Sequence, residues 1–200
     1  MPKISEAHRA ARQAQILDAA WRCFYRQGVQ ATTMEHIIAE SGLSASAMYR
    51  YFAGKDDIIV AAISSSLAGL ARLLEPVLES PQRCSVPALV QQIGAAIEAF
   101  SARAGFNLTT IALHGWSEAQ HNERLRTLMG DFYAAFRDRL AERVRRWQAE
   151  GEVTPSAAPQ DVAQALLSLV LGFVVQSAIV HDATPAAHGR GLQALSGHAG

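Results

Sequence analysis

The sequence predicts an all-α protein in which a three-helix N-terminal module with a helix-turn-helix, residues 1–55, precedes a larger helical body, residues 56–200. Three observations carry this. Apolar residues recur at spacings of three and four rather than alternating, which is the period of a helix packed on one side. Glycines and capping residues interrupt that period at short intervals before residue 55 and at long ones after it. Half of the 200 residues are apolar, enough to bury a core and inconsistent with a disordered chain.

The first helix is expected from about Ala7 to Gln27, with Ile16, Leu17, Ala20, Trp21 and Phe24 on one face and Gly28 ending it in a left-handed conformation. Thr32 and Glu35 have the Thr-x-x-Glu spacing of a capping box and mark the start of a short second helix. Ser41-Gly42-Leu43 breaks the pattern, Gly42 supplying the positive φ of a tight turn, and Ser44 caps a third helix reaching about Tyr51. Gly54 ends it. Asp56 and Asp57 then favour the N-terminus of a long fourth helix through its dipole, to about Leu78. Pro76, Pro81 and Pro87 punctuate the passage to a fifth helix, about Ala88 to Arg103, and Gly105 separates it from a sixth near Asn107 to Glu118. A long amphipathic helix follows, about Asn122 to Glu150. Its inner stripe is Leu125, Leu128, Phe132, Phe136, Leu140, Val144 and Trp147; Arg137, Arg139, Arg143, Arg145 and Arg146 mostly fill outer positions, as a solvated face does. After the loop of residues 151–159 come an apolar helix, about Gln160 to Val180, and a short last one, Ala186 to Leu195.

Charge is balanced, 18 basic against 18 acidic residues, but residues 1–55 carry seven cationic and four anionic side chains, an excess of three. A weakly basic module on a mildly acidic body results. Cys23 and Cys84 match no metal-ligand spacing and are read as reduced thiols of a cytoplasmic protein; the polar first residues carry no secretion signal. Val162 to Val180 is an uncharged run close to the length of a membrane span. Gln164, Ser168, Gly172 and Gln176 recur along it every fourth residue, so it is read as a buried helix with one small and polar stripe, with no membrane partner.

A helix, a tight glycine turn and a second helix can present a row of side chains to the DNA major groove. Ser44, Ser46, Tyr49 and Tyr51 supply hydroxyls there, and Arg50 and Lys55 supply charge. Tyr49 and Phe52 serve equally well as core aromatics, so the chemistry alone leaves a structural role open. The run Ile16-Leu17-x-Ala19-Ala20-x-x-x-Phe24-x-x-x-Gly28, then Thr32-Thr33-Met34-x-x-Ile37-Ile38-x-x-Ser41-Gly42-Leu43-Ser44, then Met48-Tyr49-Arg50-Tyr51-Phe52-x-x-Lys55, resembles the DNA-binding domain of the TetR family over about residues 12–60. The resemblance implies a third helix that reads bases, with DNA contacts at Thr33, Ser44, Ser46, Tyr49, Tyr51 and Lys55, of which Tyr51 and Lys55 hold phosphate. It implies that Ile37, Leu43, Met48 and Phe52 are core of the motif. Ile38 and Ala45 depart from the common pattern, and Ala45 removes one polar base contact, so the operator does not follow from relatives.

Beyond residue 60 the resemblance implies only a helical ligand-binding and dimerisation domain. Ala165, Ser168 and Gly172 would let two copies of the apolar helix approach closely, forming a homodimer interface. Phe100, Phe106, His114, Trp116, Phe132, Phe136 and Phe173 are candidates for the lining of an effector pocket, although residues of these types on helices are more often plain core. His114, Glu118 and His121 have a spacing that can ligate metal, but the Glu-x-x-His occurs once where a di-iron bundle needs two, so no metal and no cofactor is assigned. No catalytic motif is present and no enzyme activity is expected. The leading expectation is a ligand-responsive repressor that binds palindromic double-stranded operator DNA as a homodimer and is released by a small apolar or aromatic effector of unknown identity. The alternative is a helical small-molecule binding or enzymatic bundle without DNA binding.

Overall fold

A computed structural model describes residues 6–104 and 107–196 of the chain. These residues form helices joined by short loops and contain no strand. In order the helices are α1 (Glu6–Gln27), α2 (Met34–Ser41), α3 (Ala45–Tyr49), α4 (Lys55–Glu79), α5 (Val86–Ala104), α6 (Leu108–Ala119), α7 (Glu123–Glu150), α8 (Pro159–Ile179) and α9 (Pro185–Ser196). Two compact units result, Met1–Leu67 and Ala68–Gly200, so the division falls inside α4.

In the first unit the buried apolar side chains are Ile16, Ala19, Ala20, Trp21, Cys23, Phe24, Val29, Ile37, Met48, Phe52, Ile58, Ile59, Ala62 and Ile63. They follow the three-and-four spacing of each helix, and apolar burial of this kind contributes on the order of 2 kcal/mol per large side chain. Gly28, at φ 82°, ends α1 with its N–H on the Phe24 carbonyl at 2.8 Å. Gly42, at φ 69°, caps α2. Both conformations are left-handed and strained for a residue with a Cβ.

The start of α2 corrects the expected capping register. Thr33, not Thr32, is the N-cap: its hydroxyl accepts from the His36 N–H at 3.3 Å, and His36 Nδ1 accepts from the Thr33 N–H at 3.3 Å. The reciprocal partner is therefore His36 rather than Glu35. Thr32 is unavailable because its buried hydroxyl donates to the Gly28 carbonyl at 2.8 Å, satisfying an acceptor that the end of α1 leaves open. Glu35 remains in the first turn, where hydrogen bonds from its own backbone N–H and from Thr33 hold its carboxyl below the usual range. Thr33→Ala should destabilise this unit by about 1 kcal/mol. An unchanged urea midpoint would contradict the cap.

The second unit is built around the buried faces of α4, α5, α7 and α8, with Leu74, Leu78, Leu89, Ile93, Ile97, Leu140, Val144, Trp147, Leu166, Val170 and Phe173 in one cluster. Asn107 and Asn122 cap α6 and α7, and Gly151, at φ 81°, ends α7. Pro76 lies exposed inside α4, which runs past it to Glu79, close to the expected end at Leu78, so that Val77 and Leu78 reach the core. Burial of the turn beyond it offsets the hydrogen bond that proline removes.

Arg143 is the larger correction. It was expected on the solvated face of α7, yet it is 2% exposed. Its Nη1 donates to the Ser80 carbonyl at 2.9 Å, its Nη2 to the Gln82 carbonyl at 3.0 Å and to Cys84 Sγ at 2.9 Å, and its guanidinium carbon lies 5.6 Å from the Trp147 ring centroid. Trp147 Nε1 donates to the Cys84 carbonyl at 2.6 Å. The α4–α5 loop thus wraps two buried side chains of α7 and accepts from both terminal nitrogens of Arg143 and from the indole N–H, while the buried Arg143 Nε has no partner. Arg139, Arg145 and Arg146 are exposed, as a solvated face requires.

By length and composition α4 and α8 could each cross a membrane. Each instead buries one face in the protein, α4 through Ile58, Ile59, Ala62, Ile63, Leu74 and Leu78, and α8 through Ala163, Leu166, Val170, Phe173 and Val174.

Candidate nucleic-acid interface and ligand body

The candidate interface is assembled from α1, α2, the Gly42 turn and α3. Ser44 caps α3, its hydroxyl accepting from the Ala47 N–H at 3.3 Å and lying 3.2 Å from that of Ser46. Only Met48 of α3 is fully buried, so the opposite side of the helix, with Ser44, Ala45, Ser46, Tyr49 and Arg50, is exposed. Tyr49 is 51% exposed, a large ring left in water on the outside of a rigid motif. Tyr51 is half-buried, and its N–H closes on the Met48 carbonyl at 2.9 Å, so the helix tightens after Tyr49 instead of continuing to Tyr51.

Lys55 has a position that sequence reasoning missed. Its Nζ donates to the Val29 carbonyl at 3.2 Å and the Gln30 carbonyl at 3.3 Å, fastening the α1–α2 loop to the start of α4. An ammonium has three donors, so one more is left for a phosphate oxygen. A second missed feature lies on α1. Arg12 donates to Gln15 Oε1 at 2.7 Å, and Gln15 Nε2 donates to the Ser41 carbonyl at 2.8 Å, tying α1 to the turn that aims α3. Gln27 Nε2 lies 2.7 Å from His36 Nδ1 and does the same for the start of α2.

Two arginines of the basic module are engaged elsewhere. Arg22 Nε and Arg26 Nη2 reach the two oxygens of Glu40 at 2.6 and 2.5 Å, and these bonds, that of Arg26 foremost, hold the Glu40 carboxyl below the usual range. Burial pushes the neighbouring Cys23 thiol up.

In the body, the aromatic candidates do not gather around one cavity. Phe132 and Phe136 stack, with centroids 6.4 Å apart, and line an apolar cleft of about 200 Å³ between α4 and α7, with Leu74, Leu78 and Arg139 beside them. Phe173 borders a separate cavity among α5, α6 and α8. Trp116 Nε1 donates to the Tyr133 hydroxyl at 2.7 Å, and burial pushes that phenol up. Phe100 packs so closely on Gly69 that a Cβ there would stand 2.8 Å from its ring. His114 is half-buried on α6, and Phe106 lies outside the described residues. His114, Glu118 and His121 do not converge: among the described residues no group of three metal-ligating side chains is found.

On α8, Gln164, Ala165 and Ser168 are exposed, and Gly172 is half-buried with nothing within 4 Å of where a Cβ would stand. The small-residue stripe faces outward, opposite the row that packs into the body.

Two family models match this architecture: the bacterial regulatory proteins of the tetR family over residues 16–62, and the C-terminal domain of BetI-type transcriptional repressors over residues 90–197. The HTH-type transcriptional regulator YfiR of Bacillus subtilis is 25% identical over 182 residues, which covers 90% of this chain and 86% of that one. Among solved structures, a transcriptional regulator of Saccharomonospora viridis in complex with choline superposes with a TM-score of 0.74 at 20% identity, covering 95% of this chain and 97% of the other. The regulator FadR of Bacillus subtilis in complex with stearoyl-CoA superposes with a TM-score of 0.71 at 18% identity, covering 91% and 96%. The relatives found by family model and by sequence are regulators of transcription and not enzymes. With a helix-turn-helix domain at its N-terminus and a BetI-type helical body behind it, the chain belongs to the TetR family of transcriptional regulators.

Proposed function

We propose that the chain is a cytoplasmic, ligand-responsive repressor that binds palindromic operator DNA as a homodimer. The observation that carries this reading is the outward row of α3, where Ser44, Ser46 and Tyr49 are exposed above the fully buried Met48. Such a row can enter the major groove while Thr33 at the N-terminus of α2, Tyr51 and Lys55 meet phosphates. Footprinting on genomic fragments should reveal an inverted repeat whose half-site centres lie about one helical turn or a multiple apart. Protection of a single unrepeated site would refute the dimeric reading.

The outward stripe of Ala165, Ser168 and Gly172 is the dimer surface in this proposal, since small residues let two helices approach closely. Gly172→Arg, with open space around the site within one chain, should leave each subunit folded but give monomers. Sedimentation at micromolar concentration checks this, and a wild-type monomer there would remove the interface.

The effector is proposed to be apolar or aromatic and to enter the cleft between α4 and α7, lined by Phe132, Phe136, Leu74 and Leu78. Solved neighbours of this fold hold ligands as different as choline and an acyl-CoA, so the lining of each chain decides the chemistry. Release follows if the effector prefers a body conformation in which the two α3 helices no longer match the operator.

A further inference from the structure

We propose that the cavity among α5, α6 and α8 is a second small-molecule site, for an uncharged, hydroxyl-rich ligand of monosaccharide size. This goes beyond the effector reading, because the cavity is separate from the α4–α7 cleft and differs from it in chemistry. It is a pocket of about 560 Å³, wide open to solvent on one side, and its wall mixes apolar floor with hydrogen-bonding edges. Phe173, 2% exposed, forms part of the floor.

The sharpest indication is Ser177. Its hydroxyl is buried and has no hydrogen-bond partner. A helical serine can usually satisfy itself on the carbonyl four residues back, as Ser168 and Ser101 do at 3.0 and 3.1 Å. Ser177 does not, and a buried hydroxyl left unpaired is a cost that a ligand group would remove. It continues the inward row of Leu166, Val170 and Phe173 on α8, on the side away from Ser168, so a partner on the outward stripe would not cover it.

The remaining polar wall offers both donors and acceptors. Asn107 Oδ1 accepts from the Thr109 N–H at 3.0 Å and from the Thr109 hydroxyl at 2.5 Å, which fixes the amide and leaves its NH₂ for another acceptor. His181, held at φ 63° where it closes α8 with its N–H on the Gln176 carbonyl at 3.1 Å, adds an imidazole. Glu98 is the one formally charged side chain among the described lining residues, and it disfavours an anion. Groups that donate and accept at once around an apolar floor match a ring of hydroxyls with C–H faces.

Saturation-transfer NMR on the full chain with D-glucose, D-galactose and myo-inositol, and with D-glucuronate and D-glucosamine as charged counterparts, tests this. At least one neutral compound should receive transfer, and Ser177→Ala and Asn107→Asp, which keeps the capping oxygen of α6, should each weaken it about tenfold. The thermal midpoint of free Ser177→Ala should be no lower than that of the wild type, since the variant loses a hydroxyl without a partner. Phe132→Ala, in the α4–α7 cleft, should leave sugar binding unchanged, and loss of sugar binding in that variant would show that the two sites are not separate. No transfer to any neutral compound, transfer to the charged ones alone, or full binding by Ser177→Ala would overturn the proposal.

Discussion

Arg143→Met should lower the unfolding free energy of the body by about 3 kcal/mol, a large part of the stability of a domain this size. Methionine keeps most of the volume, so the loss isolates the hydrogen bonds. The Ser80 and Gln82 carbonyls lose their donors at 2.9 and 3.0 Å, and the α4–α5 loop has no other described side chain holding those two groups. The exposed neighbours Arg145 and Arg146 provide the control: their methionine variants should shift stability by no more than about 0.5 kcal/mol. Urea unfolding followed by circular dichroism measures all three. A difference of less than about 1 kcal/mol between Arg143→Met and the controls would mean that the buried guanidinium is balanced by its own desolvation.

The second large effect concerns DNA, where Tyr49 and Lys55 should fail in different ways. Tyr49→Ala removes an exposed ring from the middle of the outward row of α3, and its loss should cost about 1 to 3 kcal/mol per half-site and relax base preference. Lys55→Ala should weaken binding to all sequences alike and lower the salt slope by about one ion per subunit. Because Lys55 also holds the Val29 and Gln30 carbonyls, its variant should lose some stability, so affinity is measured well below its unfolding midpoint. Salt titrations of both variants on a footprinted fragment separate the two roles. Unchanged affinity in both would remove α3 from the major groove.

What the sequence alone determined was the class of fold and the place of its helices, because those depend on interactions within one turn. Gly28, Gly42 and Gly151 end helices through their own backbone freedom, and Ser44 starts one through a bond three residues away; each device is visible in a window of a few residues. The family likewise followed from fixed spacings over residues 12–60. Tertiary structure decided what required knowing who sits opposite. Thr32 and Thr33 are equally good caps by type, and only the Gly28 carbonyl, reached when α1 ends beside α2, takes one of them away. Arg143 has the same spacing and charge as its solvated neighbours, and its acceptors lie about sixty residues earlier in a loop that has no signal of its own. Lys55 meets carbonyls 25 and 26 residues away, and Ser177 is left without any. The aromatic residues, read as one group because all are large and apolar, are divided by packing: Phe132 and Phe136 stack on each other, Phe100 packs on Gly69, and Trp116 is tied to Tyr133. Helical period shows which face of a helix is buried, whereas the partner that satisfies a polar group is set by the packing of helices distant in sequence.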